Sequence, residues 1–216
     1  MSLRVEASNA AVGVVDGRIV PASGRFDVEL SIADGELRPG LINCHDHLHR
    51  NHYGRLGTPP YANAYDWGRD IHDREQRRID AGRALPRREA LLRGAWKNLL
   101  AGVTTVVHHD RREPAFDDDF PLRVVDLRTV HSLDFEPVLP GAIAGEEPFA
   151  IHLAEGVDEH SAEEIRELDR RGLLTSRLIA VHVVGADDDG IRRRRGAGAA
   201  IGGGPTANPV RFGDRA

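Results

Sequence analysis

The stretch PGLINCHDH, residues 39–47, decides how this chain is read. Pro39-Gly40 closes one pattern, and LINCH opens another, a short apolar run that finishes in His45 and His47. On a β-strand, residues two apart point to the same side. Two imidazoles from one strand end can therefore converge on one ion, which suits zinc or another borderline metal such as iron. Two later runs repeat the design: FAIHL carries His152, and RLIAVHVV carries His182. These histidines are 30 residues apart, the length of one strand–helix–strand unit. Between them, Ser161 and Glu164 form a capping-box pattern for the helix SAEEIRELDRR, and Gly172 is placed to close it. Repeated βα units imply a parallel sheet, open or closed into a barrel, with ligands at the C-terminal strand edge. The histidines fall at or near that edge.

Residues 1–38 read differently, as a small β-unit with turn signals at Asp16-Gly17 and Asp34-Gly35. The expected division is 1–38 and 39–216. In the second part, REALLRGAWKNLLAG places Leu91, Leu92, Ala95, Trp96, Leu99 and Leu100 at helical spacing, capped by Gly102. VTTVVHH is a strand ending in His108, His109 and Asp110. PLRVVDLRTVHSL is a third, preceded by the acidic turn Asp117-Asp118-Asp119 and ending near His131. No fourth strand is evident before FAIHL. Residues 50–84 lack strong periodicity but hold all three tyrosines and Trp67. Such an insertion at a catalytic edge suits a substrate pocket or lid, where Tyr65 and Trp67 would stack on a planar ring. His109 and His131 are further candidate substrate contacts. The stretch 192–204 reads as a helix end, a glycine-rich turn and a weak strand, with Arg192 to Arg195 a solvated face.

Composition narrows the function classes. Acidic residues number 34 and basic residues 29, for a net charge of −5. Such a chain has no bulk electrostatic reason to bind nucleic acid or an anionic membrane. It has no apolar run near the roughly 20 residues of a membrane helix. The single cysteine, Cys44, excludes an internal disulfide, so a cytoplasmic location is expected.

PGLINCHDH, GVTTVV, IHLAEG, AVHVVG and GPTANPV together resemble the amidohydrolase superfamily, in its deaminase-like branch. The resemblance implies a (β/α)₈ barrel with a small β-sandwich, and hydrolysis of C–N bonds in cyclic amides, amidines or aminated heteroaromatic rings. It implies that His45, His47 and His152 bind one divalent metal, zinc or else iron, which brings bound water near neutrality in pKa. Glu155 would then shuttle the proton and His182 would contact the small-molecule substrate. The only lysine, Lys97, lies on the helix before the second strand, so it cannot bridge two metals and one ion is expected.

A full barrel takes about 250 residues, and this chain is shorter. The aspartate expected on an eighth strand has no counterpart, since Asp214 follows the wrong segment. The expectation is therefore an α/β partial barrel, truncated at its C-terminus, with activity of the chain open and self-association possible. The alternative is a catalytically inactive fragment or pseudoenzyme serving as an assembly piece.

Overall fold

A computed structural model describes residues 1–117, 119–135, 143 and 145–213; Asp118 of the acidic turn and Asp214 lie outside the described residues. The chain forms two compact units, Met1–Gly40 and Leu41–Ala216.

In the first unit, β1 (Ser2–Ala7), β2 (Ala11–Val15), β3 (Arg18–Pro21) and β4 (Val28–Ile32) form one sheet in the order β3-β2-β1-β4. Asp16 and Gly17 both take positive φ, +49° and +74°, and make the β2–β3 hairpin that their sequence predicts. Asp34-Gly35 makes no second hairpin. Strand β4 runs parallel to β1, and the Gly35 carbonyl accepts hydrogen bonds from the Ser8 amide and hydroxyl.

The second unit is built of parallel strands. Its elements are β5 (Leu41–Asp46), a 3₁₀ turn (Leu48–Arg50), α1 (Ala64–Arg74), α2 (Gln76–Arg83), α3 (Arg87–Leu100), β6 (Val103–His108), β7 (Arg123–Val125), β8 (Arg128–Val130), β9 (Phe149–Leu153), α4 (Glu159–Arg170), β10 (Leu178–His182), α5 (Asp188–Ala197), β11 (Ala200–Gly202) and α6 (Ala207–Phe212). Their sheets run β5-β6-β7 and β11-β10-β9-β8. Every residue of β9 is buried, as expected for a parallel strand covered on both faces. Ile165 and Leu168 of α4 pack into the same core as Ile151 and Leu178. On the other side, Leu91 and Ala95 of α3 pack with Leu48, Val106 and Phe116. The α3 stripe is narrower than its spacing suggests, because Trp96 and Leu100 are exposed. Gly102 and Gly172, at φ +79° and +70°, follow α3 and α4 in the left-handed conformation that their positions predict.

Three features depart from the sequence reading. The third strand is two strands: β7 pairs with β6 and β8 pairs with β9, with only Asp126-Leu127 between them. Two residues leave no room for a crossover helix, so no boundary marks the change of partner. Residues 50–84 contain α1 and α2. Helix α1 is capped by the Asn63 side chain, which accepts from the Asp66 amide, while α2 is polar and buries only Ile79. Helix α4 begins earlier than Ser161, because the Asp158 carboxylate caps it by accepting from the Ser161 amide at 2.9 Å. That leaves Glu164 buried and put to another use. Among the described residues, no helix is long and apolar enough to cross a membrane.

Candidate metal centre

Four strand ends deliver five histidines to one place. His45 is on β5 and His47 just beyond it; His109 follows β6; His152 and His182 are on β9 and β10. The His45 ring centroid lies 5.1 Å from His47, 5.0 Å from His109, 4.8 Å from His152 and 5.1 Å from His182. His45 Nε2 and His152 Nε2 approach to 2.8 Å.

Four of these rings are anchored from outside. His47 Nδ1 donates to the Asp110 carboxylate at 2.7 Å. His109 Nε2 donates to the Val130 carbonyl at 2.8 Å, and His152 Nδ1 to the His131 carbonyl at 3.0 Å. His182 Nδ1 donates to Asn208 Oδ1 at 2.8 Å. An oxygen acceptor on the outer nitrogen leaves the inner nitrogen with its lone pair, the arrangement by which proteins orient metal-binding imidazoles. Burial pushes His45 and His152 well below the ordinary imidazole value, with the neighbouring histidines adding to it. Burial takes His47 down to about 3 and His109 to about 4. Burial alone would raise Asp110, but the His47 hydrogen bond and Arg50 hold it below the usual carboxylate range. His45, His47, His109 and His152 are thus neutral at pH 7, the form that ligates a metal.

The strand exits are held in unusual backbone. Ala154, His182 and Val183 take positive φ of 51°, 74° and 55°, which non-glycine residues rarely adopt. Glu164 fixes the first of these: its carboxylate accepts from the Ala154 amide at 2.6 Å and from the Tyr65 hydroxyl. Tyr65 is therefore buried and braces the β9 exit, rather than presenting its ring to a substrate. Trp67 does not join the histidines either. Its indole donates to the Leu56 carbonyl, and Arg211 stacks 4.2 Å above its ring. Arg211 in turn pairs with Glu155, whose Oε1 lies 3.3 Å from His182 Nε2. At Gly204 a Cβ would stand 2.7 Å from Asn208 Oδ1 and 3.0 Å from His182 Nδ1, so only glycine lets this loop approach.

The fit to a divalent metal is good. One nitrogen each from His45, His109 and His152 lie within 4.8 Å of one another, and a second group joins His152, Glu155 and His182. His109 Nδ1 and His182 Nε2 are buried without a hydrogen-bond partner. His49, His108 and Asp110 make a third group, but its carboxylate already holds His47. His131 borders the centre, its ring 4.9 Å from His152. It lines an open cavity of about 870 Å³ with His109, Arg112, Asp126 and Arg128. Sequence reasoning missed Asn208, Arg211 and the anchoring use of Asp110. Asn208 and Arg211 lie in or beside the weak GPTANPV segment, where no spacing rule marks them.

No family model matches the sequence, and no curated protein does. The structure is similar to solved ones. An adenosine deaminase from Xanthomonas campestris with bound zinc is 17% identical at a TM-score of 0.59, over 97% of this chain and 64% of the other. A triazine hydrolase from Arthrobacter aurescens is 16% identical at a TM-score of 0.63, over 98% and 67%. N-isopropylammelide isopropylaminohydrolase from Burkholderia multivorans is 17% identical at a TM-score of 0.57, over 93% and 67%. The chain thus spans about two thirds of the length of these structures. In its α/β architecture of parallel strands, the chain shares the fold of these structures over about two thirds of their length.

Proposed function

We propose that the chain is a metal-dependent hydrolase of C–N bonds other than peptide bonds, acting on a small aminated heterocycle or cyclic amide. The observation that carries this reading is the cluster of imidazoles at the strand ends, four of them anchored on an outer nitrogen. His45, His47 and His152 would hold the ion, zinc by the donor set and by the zinc bound in the similar deaminase. A divalent ion there supplies Lewis acidity that makes water reactive at neutral pH.

The chain's own groups do the rest. Glu155 takes the proton of the attacking water on Oε1 and returns it to the leaving nitrogen. Arg211 pairs with that carboxylate and aims it. His182, its Nδ1 proton committed to Asn208, offers Nε2 as an acceptor to a substrate N–H. The open cavity borders this centre at His109 and His131. A cytoplasmic location, suggested by the lone cysteine, belongs to the same reading.

Ammonia release tests it. Zinc-loaded full-length chain should release ammonia from some member of a panel of aminated heterocycles, in proportion to protein. Chelator should abolish the release, and Glu155→Gln should lower it at least about 100-fold. Zinc-loaded protein that hydrolyses nothing would favour the second reading, an inactive chain.

A further inference from the structure

We propose that His109 is itself a metal ligand of this centre, adding a fourth imidazole to His45, His47 and His152. The inference rests on the metal-centre reading above and changes its donor set. The backbone places the residue: the His109 amide donates to the Asp46 carbonyl at 2.8 Å, tying the end of β6 to the end of β5. The ring is then fixed by Nε2, 2.8 Å from the Val130 carbonyl. A carbonyl only accepts, so the proton sits on Nε2 and Nδ1 carries the lone pair.

That Nδ1 is buried and has no hydrogen-bond partner. A polar atom left so costs about 1–3 kcal/mol; His49, His52, His108 and His182 also carry such a nitrogen, and what sets His109 apart is its place within ligand reach of both His45 and His152. The ring centroid is 4.1 Å from His152, 5.0 Å from His45 and 5.6 Å from His47. A substrate contact fits less well, because His109 is only 3% exposed. His131, its neighbour along the cavity, is half-buried and its Nδ1 lies 3.2 Å from the Ser132 hydroxyl. Both histidines line the cavity, but His109 is buried with a lone pair within reach of His45 and His152, whereas His131 is half-buried.

Zinc titration against a chromophoric chelator, with metal-free full-length chain, tests the assignment. Native chain should bind one zinc. His109→Ala should bind it at least about 100-fold more weakly, a loss at or beyond the upper end of what removing an outer anchor costs. The visible spectrum of the cobalt(II) form should also shift in the variant. Native-like affinity and an unchanged cobalt spectrum in His109→Ala would overturn the inference and leave the metal centre standing. Native chain that binds no zinc would overturn both. Should the variant fail to fold, zinc-edge X-ray absorption on native protein decides. Four imidazole nitrogens support the assignment, and three with oxygen contradict it.

Discussion

The β9–α4–β10 segment and the β7–β8 segment do the same job in opposite ways. The first is a regular unit: five-residue strands, nearly every residue buried, and a capped helix between them. The second spans the gap between β6 and β9 with two three-residue strands and two linking residues. Yet the first delivers His152 and His182, and the second supplies the anchors. Val130 at the end of β8 holds His109, and the His131 carbonyl just beyond it holds His152. Regular packing carries the stability, while a short splice suffices to aim side chains.

The largest expected contrast is in packing. Ile151→Ala in β9, at a fully buried site, should cost about 2–5 kcal/mol in urea unfolding, whereas Val124→Ala in half-buried β7 should cost about 1 kcal/mol. Equal losses would break the division of labour. Acid should then reveal the histidine side. Folding holds His109 near 4 and His47 near 3, while the unfolded chain takes up protons near 6.5. The unfolded state therefore binds more protons below that value, so the metal-free chain loses stability as pH falls from 6.5 to about 4. The loss is on the order of 3 kcal/mol for His109 alone, read as urea midpoints at several pH values.

The two carboxylates of the α4 region sharpen the comparison. Glu164→Ala strips the Ala154 amide and the Tyr65 hydroxyl of their acceptor and should cost about 1–3 kcal/mol. Asp158→Ala removes a helix cap and should cost about 1 kcal/mol. Thermal melts of the two variants would show the order. Smallest in stability is Asp110→Ala, which frees His47 at a partly exposed rim. It should leave the melt nearly unchanged while weakening zinc about 10–100-fold, read by chelator competition.

The legible parts were the ones with local rules. Apolar runs ending in His152 and His182 mark β9 and β10 because a doubly covered parallel strand must be apolar throughout. His45 and His47 are legible by strand alternation. The β7–β8 splice was not, because a change of pairing partner within one extended stretch leaves no turn signal. Helices α1 and α2 were hidden by charge, since their residues face outward around a few anchors such as Ile71 and Ile79. Glu164 fits a capping box by spacing, and only three dimensions show that Asp158 takes the cap. Asn208 and Arg211 act through contacts 26 and 56 residues away in the chain, which no short motif encodes.

The most direct measurement of the central claim is metal content per chain, by elemental analysis of a monodisperse size-exclusion peak after zinc reconstitution. The account predicts close to one zinc per chain, falling sharply in His45→Ala and His152→Ala. A folded peak without metal, or zinc content unchanged in both variants, would contradict it.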